Sequence, residues 1–202
     1  MDNKRFLGKA AIQPDAGMRT AFFAADLRAQ DLARVQLEAD PGDPGDLNAL
    51  FAMTLSLGLQ ADYASLIDKQ QLESLAMIRK ADTYAKRLLA ANPDAADAYL
   101  MLGAANYIIG SLPAFKRFFL HFKGISGDKR RGLEQLEIAA LKAHYLRPFA
   151  KMVLALAALR EKKYPVARIQ LMELVDEFPQ NPLFAGELAK LAEREELASS
   201  LP

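Results

Sequence analysis

Ala29, Ala81 and Ala167 each stand twelve residues before a proline, at Pro41, Pro93 and Pro179. In a fourth copy Gly132 takes the small position and His144 stands where the proline would be. No other feature constrains the fold as much. Self-similarity of this kind marks a stacked array of repeated units, and a proline ends a helix because it cannot continue the backbone hydrogen-bond ladder. The stretches ahead of these helices match as well: Leu50-x-x-Met53-Thr54, Tyr99-x-x-Leu102-Gly103 and Lys151-x-x-Leu154-Ala155 each place a bulky residue before a small one. Two helices can cross closely where both carry Ala, Gly or Thr, and a larger side chain at either position would push them apart.

Helical periodicity dominates the rest of the chain, and no segment of four or more residues alternates between apolar and polar as a half-buried strand does. The pattern predicts helices over 17–40, 47–66, 70–91, 95–110, 113–123, 128–143, 148–161, 164–178 and 182–197. Asn181-Pro182 supplies an N-cap followed by Pro at the first helical position, and Asp46 and Asp94 are placed to cap in the same way.

A bulky residue, Leu and a small residue in a first helix, with Ala in a second and Pro at its end, resembles the tetratricopeptide repeat. The resemblance is most complete over 148–181, where Leu154, Ala155, Tyr164, Ala167 and Pro179 all fall in register. It implies an all-α solenoid of antiparallel helix pairs with a right-handed superhelix, one repeat domain over 1–202 with units near 17–41, 47–93, 95–145 and 148–181, and a capping helix at 182–197. The period departs from the family's usual repeat of about 34 residues. The closing small residues lie 52, 51 and 35 residues apart, which leaves two insertions, 59–69 and 111–127. Gly58-Leu-Gln-Ala-Asp-Tyr63, Asn106-Tyr-Ile-Ile-Gly110, Gly127-Asp-Lys-Arg-Arg-Gly132 and Phe178-Pro-Gln-Asn-Pro-Leu-Phe184 further resemble a group of uncharacterised bacterial repeat proteins. That likeness implies no activity. It does imply further helices upstream, often behind an export signal, with this chain matching the C-terminal portion; residues 1–14, lacking a partner repeat, are expected to be poorly ordered. Ala143 departs from the Gly that the likeness leads one to expect before Tyr145-Leu146.

Composition narrows the function by exclusion. A hydrophobic content of 51% with 25% charged residues is that of a globular chain. The net charge of +1 gives no general attraction to nucleic acid or anionic membrane. The absence of Cys excludes disulfides, thiolate metal sites and a Cys nucleophile, and leaves the compartment open between cytoplasmic and exported. The longest charge-free stretch, Ala98 to Phe115, is interrupted by Gly103, Asn106, Gly110, Ser111 and Pro113, which argues against a membrane span.

No catalytic constellation is recognisable. His121 and His144 belong to no ligand spacing, and Gly124-Ile-Ser-Gly127-Asp-Lys129 lacks the spacing and the Lys-Ser/Thr pair of a phosphate loop. The carboxylates of Glu193-Arg-Glu-Glu196 point in different directions on a helix and cannot face one substrate. The expectation is a non-enzymatic protein without cofactor or metal.

In the tetratricopeptide family the first helix of each pair lines a concave surface at the second, fifth, ninth, twelfth and thirteenth repeat positions. The resemblance carries those positions to Asn48, Phe51, Leu55, Gly58 and Leu59, then Asp97, Leu100, Ala104, Tyr107 and Ile108, then Phe149, Met152, Leu156, Leu159 and Arg160. The surface is mostly apolar and lacks the Lys and Asn with which family members grip the charged tails of chaperones. It implies a scaffold or adaptor for a partner protein or peptide. An alternative is a carrier in which 59–69 and 113–123 close the groove around a lipid-like ligand. The second insertion holds Phe115, Phe118, Phe119 and Phe122 at helical spacing. Four exposed rings are a liability, so at least two of Phe118, Phe119 and Phe122 are expected to pack against repeat residues, with Lys116, Arg117 and Lys123 facing solvent. A mobile lid and a membrane-surface contact are the other readings of this stretch. Residues 115–131 carry six Lys or Arg and one Asp. Such a run on a helix is commonly a solvated face, and nucleic-acid binding is disfavoured.

Overall fold

The structure, a computed structural model, describes residues 14–39, 46–122 and 124–199. Among the described residues there are nine helices and no strand: α1 Ala16–Ala39, α2 Leu47–Leu66, α3 Gln71–Ala91, α4 Ala98–Gly110, α5 Ala114–Phe122, α6 Lys129–Lys142, α7 Arg147–Arg160, α8 Tyr164–Glu177 and α9 Pro182–Ser199. Every helix expected from the pattern is present, with ends displaced by three residues or fewer. The expectation for residues 1–14 falls almost entirely outside the described residues. Asp46 caps α2, its carboxylate accepting from the N–H groups of Asn48 and Ala49 at 2.8 and 3.2 Å. Asn181 caps α9 through the N–H of Leu183 at 3.1 Å. The N-cap position of α4 is Asp97, three residues after Asp94. The chain divides into two compact units, Met1–Asn92 and Pro93–Pro202.

In the first unit α1 packs on α2 and α2 on α3, around a core of Ala33, Ala49, Met53, Leu57 and Ala81. The small residues at the crossing, Thr54 and Ala81, are both buried. The first insertion is largely not a loop: 59–66 simply prolong α2. The added turns carry Tyr63, whose ring stacks on Phe22 at 5.5 Å and meets Phe23 edge-on at 4.9 Å. Arg19 lies over Phe23 and Tyr63 and pairs with Asp68 at 3.2 Å. Below them Gln30 donates to Ser56 Oγ at 2.8 Å and to Asp26 at 3.2 Å, and Gln60 donates to the same carboxylate, so the buried polar groups satisfy one another.

In the second unit α4 packs on α6, α6 on α7, α7 on α8 and α8 on α9, and α4 also touches α7. The α4–α6 crossing is the tightest place in the unit. A Cβ added to Gly132 would stand 2.4 Å from the backbone N of Tyr107, and one on Gly103 would stand 3.0 Å from the Gly132 carbonyl oxygen. Backbone meets backbone here, which is why this pair carries glycine where the others tolerate Ala or Thr. Ala155 and Ala167 form the equivalent crossing of α7 with α8 and are both buried. Ala143, expected as Gly, adopts φ −60° and ψ 143°, an extended backbone open to any residue.

Between α4 and α6 the chain makes an excursion. The Pro113 carbonyl accepts from Lys116 and Arg117 at 3.0 and 3.1 Å and starts α5. Its end is a Schellman closure: Gly124 N–H donates to His121 O, Ile125 N–H donates to Leu120 O, and Gly124 takes φ +70°. Ile125 is buried and Asp128 caps α6 through Arg131 N–H at 2.9 Å. The expectation that two or more rings of Phe118, Phe119 and Phe122 pack against repeat residues is overturned. Phe115, Phe118, Phe119 and Phe122 are 62%, 59%, 66% and 75% exposed. The Phe118 ring meets those of its neighbours on the same helix, Phe122 at 4.8 Å and Phe119 at 6.0 Å. No side chain of α5 is buried; Leu120 alone is half-buried. Lys116 and Arg117 face solvent as expected, and Lys123 lies outside the described residues.

Candidate functional site

The first helices of the second unit, α4 and α7, carry apolar side chains of two fates. Leu100 and Tyr107, placed in the groove by their repeat positions, are buried core residues, packed with Leu136, Ala139, Ala150 and Leu154. This corrects their assignment. Tyr107 is drawn inward because its hydroxyl, among α4, α6 and α7, lies 3.4 Å from Ala157 O and 3.2 Å from Glu161 Oε1, while Lys129 Nζ holds the other carboxylate oxygen at 2.7 Å. Burial and the neighbouring Glu161 push the phenol up from its ordinary range, and Lys129, followed by Tyr107, holds the Glu161 carboxyl down.

The remaining positions lie outward. Ile108 is 53% exposed on α4, and Phe149 and Leu156 are 43% and 67% exposed on α7. Ala104 and Met152 are half-buried beside them, Leu159 is half-buried against the α7–α8 core, and Arg160 is exposed. Phe149, Met152 and Leu156 stand three and four residues apart and share one face of α7. Leu183 of α9, 34 residues after Phe149, is also exposed and occupies the same repeat position. It was missed because 182–197 read as a polar cap; extending the count by one repeat would have found it. In the first unit Phe51 and Leu55 are half-buried, and Leu59 is 40% exposed.

Two charged residues hold this face in shape. The buried carboxylate of Asp97 accepts the N–H groups of His144 and Tyr145, each at 2.9 Å, and of Leu146 at 2.7 Å, so the start of α4 fixes the turn into α7. Lys151 occupies the bulky position of its repeat and is buried; its ammonium reaches Glu173 at 2.9 Å and Glu177 at 3.3 Å. Arg147 pairs with Glu177 at 3.0 Å, and Arg147 foremost, with Lys151, lowers that carboxyl's affinity for protons. Among the described residues no group of three or more His, Asp or Glu could hold a metal ion. None of their helices is long and apolar enough to cross a membrane.

The family model described as "Tetratricopeptide repeat" matches residues 78–115 and 126–182. The first match runs from within α3 through α4, the second through α6, α7 and α8, and they pass over 116–125, which contain most of α5. No curated protein and no solved structure matches the chain significantly. Tetratricopeptide repeats are in general scaffolds for protein–protein interaction, built so that stacked helix pairs offer an extended surface. With small residues closing the helix pairs and the family match over α4 and α6 to α8, residues 78–115 and 126–182 are built as tetratricopeptide repeats.

Proposed function

We propose that this protein is a non-enzymatic adaptor, holding a helix or extended segment of a partner protein on the apolar face of α4 and α7. The observation that carries this is the exposure of Ile108, Phe149 and Leu156 on the first helices of consecutive repeats, in a fold that buries Leu100, Tyr107 and Leu154 on the same helices. Exposed apolar side chains grouped in this way mark interaction sites, and a groove of this kind reads a helix by anchors at i, i+3, i+4 and i+7. Ala104, Met152, Leu159 and Arg160 complete the proposed contact set on this unit, and Phe51 and Leu55 are proposed as a separate apolar contact of the first unit.

The ligand-carrier alternative requires both insertions to close the groove. Support for it is lacking, since 59–66 are part of α2 and the side chains of α5 are open to solvent. The test is selection from a displayed random-peptide library against the parent chain and against Ile108→Asp/Leu156→Asp. Both substituted side chains are exposed, so the variant should keep its melting temperature. Peptides selected on the parent should carry apolar anchors at helical or alternating spacing and bind the variant at least tenfold more weakly. Peptides that bind both proteins equally would place recognition elsewhere.

A further inference from the structure

The family match leaves most of α5 unexplained, and α5 is the most strongly amphipathic helix among the described residues. On a helix turning about 100° per residue, Phe115, Phe118, Phe119 and Phe122 span an arc of roughly 100°. Leu120 lies on the other side, and it is the one half-buried side chain of α5, on the side from which buried Ile125 returns the chain. Pro113 and the Gly124 closure define both ends, so α5 is held as a helix with its ring face turned outward.

The charge beside this ridge has one sign. α5 contains no Asp or Glu. Lys116 and Arg117 have no ion-pair partner among the described residues. Further along, Lys129 is neutralised by Glu161, Arg130 is only loosely paired with Glu134 at 3.7 Å, and the sole acid, Asp128, is engaged in capping α6. A second copy of the chain would bring the same positive charge against itself in a symmetric contact, which opposes self-association through this face. Among the described residues no other helix packs extensively on α5, so the exposed rings stand as a ridge rather than inside a walled groove. A convex apolar stripe flanked by cations suits a deformable, negatively charged layer better than a rigid protein pocket. Phe and Lys/Arg on opposite flanks of one helix is the composition that lies in the headgroup region of a bilayer.

We infer that α5 is a membrane-surface contact, inserting its four Phe rings shallowly among acyl chains while Lys116 and Arg117 meet anionic phospholipid headgroups. Helix and charge act together, because a short apolar face alone binds weakly and reversibly. The adaptor face of α4 and α7 is a separate surface, and this inference does not rest on it.

The experiment is co-sedimentation of the full chain with vesicles of equal parts phosphatidylglycerol and phosphatidylcholine, compared with phosphatidylcholine alone. The parent should bind the anionic vesicles at least tenfold better, and added salt should weaken that binding. Lys116→Glu/Arg117→Glu should lower it by roughly tenfold or more, since each cation near an anionic surface contributes several-fold. Phe118→Ser/Phe122→Ser should abolish it, and both variants should melt with the parent. The chain has no Trp, so Phe119→Trp provides a lone reporter whose emission should shift to shorter wavelength on anionic vesicles. Failure of the parent to sediment, equal binding to both vesicle types, or an unshifted emission would each overturn the inference. So would a Phe-dependent dimer in sedimentation velocity without vesicle binding, which would assign the ridge to a second copy.

Discussion

α4 and α6 meet so closely that neither Gly103 nor Gly132 has space for a methyl group, while the segment joining them carries four Phe rings that are each more than half exposed. The two regions are continuous in sequence and opposite in packing. Their difference separates two kinds of information in a chain. A run of small residues at fixed spacing states a geometric requirement, since only a close neighbour makes a methyl group intolerable. An apolar stripe states only that something apolar will cover it, and leaves open whether that cover is the same molecule.

The sharpest way to break this contrast is to fill the crossing. In Gly132→Leu the new side chain would run into the backbone of α4, with Tyr107 N 2.4 Å from its Cβ, and backbone cannot move aside as a side chain tip can. Overpacking of a core typically costs about 1–3 kcal/mol, and this site should exceed that range. Gly103→Leu is less constrained, its nearest obstruction being Leu136 N at 2.9 Å, and it should fall within that range even after the gain in helix propensity of up to about 1 kcal/mol on losing glycine. Urea denaturation of both variants gives the order. Equal midpoints for Gly132→Leu and the parent would mean that the crossing is wider than described.

A second test asks whether the packed region depends on a contact that spacing cannot reveal. Asp97 is 47 to 49 residues from the three N–H groups it holds. In Asp97→Ala those donors lose an ionised acceptor, and hydrogen bonds to charged groups contribute about 1.5–3 kcal/mol each at best and overlap when they share one carboxylate. We expect a loss of about 3 kcal/mol in unfolding free energy. Asp97→Asn should lose less, because one oxygen can still serve Tyr145 and Leu146, which both bond Oδ1, leaving only His144 without its partner. Equal losses for the two variants would argue against this division of labour.

Helix positions and the small-residue crossings were legible because both are local: periodicity, caps such as Asp46 and Asn181, and the Ala–Pro spacing are written within a few turns. The proposed contact face was only partly legible. Its ruler assumes a regular repeat, whereas the rotation of α4 is fixed by the glycine crossing and by Tyr107 reaching Glu161, 54 residues away. That turned Leu100 and Tyr107 inward and left Ile108 outside. Asp97 and Lys151 were opaque for a related reason. Each is polar where the repeat pattern expects a surface contact or a bulky apolar residue, and its partners come from another helix. Exposure of α5 was illegible in principle, since Phe at i, i+3, i+4 and i+7 gives the same pattern against a core, a partner or a bilayer.

The smallest expected effect is therefore the most informative about α5. Phe→Ala in a core costs about 3–5 kcal/mol, so Phe118→Ala with Phe122→Ala would cost well over 5 if both rings were covered by repeat residues. Here both are more than half exposed and their main contact is with each other, edge-on at 4.8 Å. Aromatic pairs contribute about 0.5–1.5 kcal/mol in favourable settings, and an exposed pair sits at the low end. Against that loss, Ala is the better helix former by up to about 0.7 kcal/mol per residue, on a nine-residue helix where propensity is not masked by packing. The two terms nearly cancel, so the double variant should unfold within about 1 kcal/mol of the parent, in either direction. A midpoint shift corresponding to several kcal/mol would show that the rings are covered by the same chain in solution. It would also remove the contrast with the α4–α6 crossing, because both regions would then be core.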